Sequence, residues 1–257
     1  MNNTDRGKLV GMVLGDGYIR TASAKDKLAG RRISPQISFS HCLVQKEYAE
    51  HKMSLLNKMF GGHATINEYD SNYNGNPTRI CAGSKSNPYF KTLKGMMYID
   101  GKKNISEQVL NMLTPEGIAL WFMDDGSYRI NRNNSGNVSS VSLTISTYCS
   151  REEVDNIIKH FDETYDIDFR PAYCKRTCKW YVRTNTAGAR KLAELVSPYV
   201  TPSMQYKLSC VRLLNSHECH ASDKICVSCG GSFAALKAKG LCMKCYNDQY
   251  VNNRKMI

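Results

Sequence analysis

Two aspartates stand in the same local setting and carry the strongest chemical signal in the chain. Asp16 ends the apolar part of LVGMVLGDGY (Leu9 to Tyr18), and Asp125 ends that of IALWFMDDGSY (Ile118 to Tyr128). Each follows an apolar run of helical character and precedes a glycine, Gly17 or Gly126, which is expected to close the helix in the left-handed conformation. The acids then sit at helix tips, beside carbonyls that lack partners inside the helix and carry the negative end of its dipole. Two such ends side by side call for a cation. A hard divalent ion held through oxygens, with positions left for water and phosphate oxygens, is the chemistry this pattern can support. A second constellation lies near the C-terminus. Cys226-x2-Cys229 and Cys242-x2-Cys245, twelve residues apart, have the spacing of a tetrahedral four-cysteine zinc site. The intervening GGSFAALKAKGL is too short for a core, so metal is expected to fold it.

The elements that must position the two acids recur in one order. Thr4 or Asp5 can cap a first helix that Gly17 stops. A polar, basic loop (Thr21 to Arg32), a strand within Ile33 to His41, a helix from Gln45 to Phe60 ended by Gly61-Gly62, strands at His63 to Tyr69 and Thr78 to Ala82, and a helix over Ser86 to Tyr98 follow. After a linker containing Lys102 and Lys103, Thr114 caps and Pro115 opens the second acid-tipped helix. A polar loop (Asn131 to Gly136), a strand with Val141, Leu143 and Ile145 on one face, and a helix opened by the capping box Ser150/Glu153 come next. Strands at Ile167 to Lys175 and Trp180 to Thr184 and a helix from Thr186 to Val196 complete an internal repeat of roughly a hundred residues. Helices can cover one face of each unit's sheet, leaving the other free and alternating polar.

Charge bears on the partner. Across 257 residues the formal net charge is +12, and the pI is about 9.2. Spread without one long basic block, that charge points to a folded surface facing a polyanion. No apolar stretch reaches the ~18 residues of a membrane span, and MNNTDRGK has no signal-peptide hydrophobic region. A reducing cytoplasmic setting is therefore expected, in which the 11 cysteines bind metal or stay as thiols. Cys174 and Cys178, at the end of a strand hairpin, read as thiols.

From about Lys8 to Leu214 the chain resembles the LAGLIDADG homing endonucleases in their single-chain, two-motif form. The resemblance rests on LVGMVLGDG and IALWFMDDG, on GDGYIR after the first motif, on KKNIS before LTPEGIALWFMDDGS, and on SPYVTPSMQYKL. Within the family it is similar to the intron-encoded subgroup whose second motif reads WFMDDG. The resemblance implies an α+β fold of two pseudo-symmetric αββαββα halves, whose motif helices pack together and whose sheets form a DNA-binding saddle. The expected divisions are 1–105, 106–215 and a zinc-binding module at 216–257. It implies a monomer that makes a staggered double-strand break in a long asymmetric DNA target by Mg²⁺-dependent phosphodiester hydrolysis, with Mn²⁺ an alternative ion.

In that scheme Asp16 and Asp125 are the catalytic acids, and the backbone at Gly15 and Asp124 supplies further metal oxygens. Asp124 adjoins Asp125 and offers a second carboxylate, though register with Asp16-Gly17 selects Asp125. Lys103 and Lys207 fall where the subgroup places a basic residue near each scissile phosphate, with Lys102 an alternative to Lys103. Gly11 and Gly15 match Leu120 and Asp124 in the second motif, so the helix seam is expected to be lopsided. Sheet-face candidates for DNA contact are Arg20, Arg32, Arg79 and Lys85 in the first half, and Arg129, Arg132, Arg170, Lys175, Arg176, Lys179 and Arg183 in the second. The four-cysteine module resembles small zinc modules appended to phage nucleases, where a stretch like AKGLCMKCY recurs. Lys237 and Lys239 would add DNA contacts there. The alternative function on the same fold is an RNA maturase that assists splicing of a host intron, with intron RNA as the partner.

Overall fold

The computed structural model describes residues 1–30, 33–61, 65–69, 79–211, 224–225, 232–233 and 243–246. By internal contacts the chain divides into two units, Met1–Arg129 with Ser142–Ser209, and Ile130–Val141 with Cys210–Ile257.

The first half of the repeat runs α1 (Asn3–Leu14), β1 (Tyr18–Arg20), α2 (Ala24–Leu28), β2 (Gln36–Cys42), α3 (Lys46–Phe60), β3 (Thr65–Tyr69), β4 (Arg79–Gly83) and α4 (Tyr89–Met97). A short hairpin, β5 (Tyr98–Ile99) and β6 (Lys102–Lys103), and the one-turn α5 (Glu107–Leu110) lead into the second half. That half runs α6 (Pro115–Asp125), β7 (Gly126–Arg132), β8 (Val138–Cys149), α7 (Arg151–Tyr165), β9 (Phe169–Cys174), β10 (Lys179–Thr184) and α8 (Thr186–Val196). The sheets have the same strand order, β1-β2-β4-β3 and β7-β8-β10-β9. The expected α+β class and the repeated αββαββα order are both present, with α2 and α5 as additions.

Burial shows what each element is for. Leu9 to Leu14 of α1 and Gly117 to Met123 of α6 are buried without interruption. These two helices are therefore internal all round, not one-sided surface helices. The other long helices bury one stripe each. In α7 it is Val154, Ile157 and Phe161, and in α8 it is Ala189, Leu192, Ala193 and Val196. Each fully buried Leu, Ile or Phe contributes about 1.5–3 kcal/mol. Ile37 and Phe39 of β2, Ile80 of β4, and Leu143 and Ile145 of β8 are buried on one face of their sheets.

The boundaries follow local chemistry, with several departures from expectation. Asn2, not Thr4 or Asp5, caps α1, its Oδ1 accepting the Asp5 amide at 2.7 Å. The loop expected at Thr21 to Arg32 contains α2, started by Ser23 and Asp26, each of which accepts the other's backbone N–H. Asn131 and Arg132, expected in a loop, extend β7, because the turn tightens around Asn133, which accepts the Asn137 amide at 2.9 Å. Thr114 and the Ser150/Glu153 box cap as expected.

Gly17 and Gly126 are the main correction. Neither has a positive φ, and Gly126 sits at −75°. A Cβ on Gly17 would lie 2.4 Å from the Met12 carbonyl oxygen, and one on Gly126 2.2 Å from that of Phe122. The glycines are required because the chain folds back against the preceding turn, not because it turns left-handed.

Candidate active site

The helices α1 and α6 pack along small residues. A Cβ on Gly11 would fall 1.9 Å from the Gly117 carbonyl oxygen, and one on Gly117 2.2 Å from that of Gly7. Gly7 and Gly11 of α1, and Gly15 just past its end, recur every fourth residue and so share one face. The seam is lopsided, as expected, with three glycines on the α1 side and one, Gly117, on the α6 side. Gly7 was readable in the sequence from that four-residue spacing, whereas Gly117 stands alone in its helix.

This approach brings the two acid-bearing ends together. Past the end of α1, Gly15 leaves no room for a side chain because the Asp124 carboxylate lies there, 2.2 Å from where a Cβ would stand. That carboxylate accepts the Asp16 backbone N–H at 2.9 Å. Asp125 accepts from the Trp121 indole at 3.3 Å. Asp125 lines a cavity of about 660 Å³ with Gly15, Lys102, Lys103, Tyr148, Glu153 and Lys179 among its other walls. The acid of α6 thus faces the backbone end of α1.

The two lysines repeat one contact on the two sides. Lys103 Nζ donates to the carbonyl of Gly15, the residue before Asp16. Lys207 Nζ donates to the carbonyls of Met123 at 2.5 Å and of Asp124, the residue before Asp125, at 3.0 Å. Lys103, in β6, turns inward, while Lys102 is exposed at the cavity rim. Burial lowers the pKa of both Lys103 and Lys207, and the nearby aspartates oppose that shift.

The acids carry an excess of negative charge. Burial, then repulsion from Asp124 and Asp16, pushes the Asp125 carboxyl up to about 7. Asp16, whose side chain is 48% exposed, is raised by burial and then by Asp124. Carboxylates and backbone carbonyls are hard oxygen donors, and a divalent cation would relieve the repulsion that raises both acids. The carboxylates of Asp16 and Asp125 therefore fit Mg²⁺ or Mn²⁺, while the Gly15 and Asp124 carbonyls each also accept from a lysine.

Asp124 is set differently from Asp125. Its side chain is fully buried and receives the Lys52 ammonium at 2.6 and 2.7 Å. Lys52 comes from α3, is 0% exposed, and also lies 3.1 Å from His41 Nε2. Asp16, His41 and Asp124 have the ligand types and separation of a metal site, but the ammonium already neutralises the Asp124 member. Burial, then Lys52, lowers the His41 pKa to about 4, so the ring is neutral. Sequence reasoning missed both residues. The signal was present: Lys52 interrupts the inward stripe Tyr48, Leu55 and Leu56 of α3, and His41 continues the inward alternation Ile37, Phe39 of β2.

The basic candidates divide by position. Arg20, Lys85, Arg129, Arg170, Lys175, Arg176, Lys179 and Arg183 are exposed. Arg183 pairs in register with Arg170 across β10 and β9, on the face opposite buried Val182 and Thr184. Arg132 is exposed and donates to the Gly136 carbonyl at 2.8 Å. Arg79 opens β4 beside Cys42. Arg32, Lys237, Lys239, Cys226, Cys229 and Cys242 lie outside the described residues, and Cys245 falls in a four-residue helix, Met243–Tyr246. No helix among the described residues is long and apolar enough to cross a membrane.

Known proteins are similar to this chain in fold or in sequence. The structure is similar to that of the homing endonuclease I-WcaI bound to its DNA recognition sequence, with a TM-score of 0.66 and 23% identity over 80% of this chain and 86% of that one. In sequence it is similar to the DNA endonuclease I-ChuI of Chlamydomonas applanata, 23% identical over 216 residues, 78% of this chain and 92% of that protein. It is also similar to Protein RecA of Mycobacterium gastri, 26% identical over 205 residues, 78% of this chain but 46% of that protein. The chain spans less than half the length of such RecA relatives. A model of the LAGLIDADG DNA endonuclease family matches residues 6–192, which take in both acid-bearing helices and both sheets. On that match the chain belongs to the LAGLIDADG DNA endonuclease family.

Proposed function

We propose that the protein is a site-specific DNA endonuclease that hydrolyses one phosphodiester in each strand of a long, asymmetric duplex target. One observation carries this reading: two acids at adjoining helix ends, each with a lysine on the backbone carbonyl before the acid. A doubled, pseudo-symmetric site suits a substrate with two chemically equivalent strands.

Asp16 and Asp125, with the backbone at Gly15 and Asp124, would hold Mg²⁺ or Mn²⁺. When bound, that ion supplies a lowered pKa for water and charge stabilisation at phosphate oxygens. Lys103 and Lys207 place ammonium groups at the two helix ends, where they offset phosphate charge as it grows in the transition state. The exposed arginines and lysines of the outward sheet faces bind the duplex. Arginine suits bidentate reading of guanine, and lysine suits phosphates. Relatives named as DNA endonucleases favour DNA over intron RNA as the partner.

Residues 1–105 and 106–215 are the two halves, acting as a monomer in a reducing cytoplasm. Residues 216–257 form a module in which Cys226, Cys229, Cys242 and Cys245 hold Zn²⁺ through four thiolates. Lys237 and Lys239 in that module add DNA contacts.

The test is substitution of each acid. Asp16→Asn or Asp125→Asn abolishes cutting of at least one strand while DNA binding is largely kept. Unchanged double-strand cleavage by either variant would sink the assignment.

A further inference from the structure

The two acids are held in different ways. Asp125 is the last residue of α6, so its backbone is fixed by the helix. Asp16 lies beyond α1, which ends at Leu14. Its amide is outside the helical ladder and finds its acceptor in the Asp124 side chain, at 2.9 Å. Asp124 is held in turn by Lys52, at 2.6 Å. A second route runs from Lys52 through His41, whose Nδ1 faces the Asp16 carboxylate at 3.7 Å. That nitrogen is buried and has no hydrogen-bond partner among the described residues.

The pseudo-symmetric positions lack the lysine and the aspartate of this pair. The helices α3 and α7 both span 15 residues and hold the same place in their halves. Lys52 is the seventh residue of one, and the seventh residue of the other is Ile157, which is fully buried. Asp124 precedes Asp125 as Gly15 precedes Asp16. Where one side has a buried lysine and aspartate, the other has isoleucine and glycine. A buried ion pair can often be replaced by apolar residues without loss of stability, and the other half of this chain shows such a replacement.

We propose that Lys52 and Asp124 form a positioning ion pair whose hydrogen bond serves the Asp16 side of the double site, with no counterpart that holds the Asp125 backbone, so that scission of the two strands depends on it unequally. The pair fixes the backbone of Asp16 by a hydrogen bond, doing for it what α6 does for Asp125. The part of the proposal that concerns scission rests on the endonuclease reading above.

The experiment follows each strand separately, on duplex end-labelled on one strand or the other, with Mg²⁺. Lys52→Met leaves Asp124 as an unpaired buried charge and can cost the fold. The paired variant Lys52→Met/Asp124→Ala, which removes both charges and the acceptor for the Asp16 amide, is therefore measured beside it, with thermal melting as the check on folding. In a folded variant the ratio of the two nicking rates shifts at least about tenfold, and nicked duplex accumulates. Equal slowing of both strands by a folded variant would overturn the proposal, since a general loss of structure has no strand preference.

Hydrogen exchange of the Asp16 amide in the parent protein is a second readout that needs no cleavage. The amide is protected, and protection as low as that of an unstructured amide overturns the proposal whether or not the variants fold. Failure of the parent protein to cut DNA that it binds would instead count against the endonuclease reading, and the exchange measurement would then decide the positioning claim alone.

Discussion

At the scale of single residues, Asp125 shows how position changes chemistry. A carboxyl raised to about 7 in the folded protein binds its proton more tightly there than in the unfolded chain, where the pKa is about 3.9. Its contribution to stability is fully present below about pH 4 and is lost as pH rises through about 7, by roughly 4 kcal/mol at the full shift. Without metal, Asp125→Asn is therefore more stable than the parent at pH 8, with little difference at pH 4. Melting curves at the two pH values check this, and an equal effect at both would contradict it. Mg²⁺ competes with the proton, so it raises the parent's melting temperature more at pH 8 than at pH 5. Lys103→Met and Lys207→Met each slow cleavage by about tenfold or more while DNA affinity stays within about threefold. A loss confined to affinity would remove the transition-state role of these lysines.

Helices and strands show how much of the fold was legible. The spans of α3, α7 and α8 follow from apolar spacing and end signals, and the Ser150/Glu153 box starts α7 as its sequence says. What escaped depends on contacts between distant segments. Nothing local tells that Gly117 is the residue Gly11 will meet, that Gly126 is needed against the Phe122 carbonyl, or that Lys52 will find Asp124 far along the chain. Asp16 and Asp125 were legible because their setting is repeated in the sequence, while Lys52 and His41 carried only the signal of a polar residue in an inward stripe, with nothing local to name their partners.

Glycine substitutions separate the two kinds of constraint. Gly11→Ala forces a Cβ to 1.9 Å from the Gly117 oxygen, so α1 and α6 must move apart, at a cost of about 3 kcal/mol. Gly61→Ala meets no atom within 4 Å and is opposed only by its backbone, φ +65° and ψ 151°, costing about 2 kcal/mol. Urea titrations that ranked the two in the opposite order would contradict the tight helix seam.

For the whole molecule, the net charge of +12 and the basic residues on the outward sheet faces predict DNA binding dominated by phosphate contacts. The logarithm of the binding constant should fall linearly with the logarithm of salt concentration, with a slope of about −0.9 per phosphate neutralised. Arg170→Ala or Arg183→Ala should make that slope shallower, whereas Lys159→Ala, on α7, should leave it alone. The four C-terminal cysteines predict about one zinc per chain by metal analysis; a metal-free yet folded tail would refute the four-cysteine reading. Truncation after Leu214 should weaken affinity more than it lowers the intrinsic cleavage rate, and unchanged affinity would deny the tail a role in DNA binding.

The central claim is that two acids on adjoining helix ends form a doubled site for cutting both strands. Its most direct test is strand-resolved cleavage, with Mg²⁺, of a target selected from a randomised duplex library, comparing the parent protein with Asp16→Asn and Asp125→Asn. The parent should cut both strands at staggered positions, and each variant should lose at least one of the two cuts while still binding the target. Full cleavage of both strands by either variant would contradict the claim.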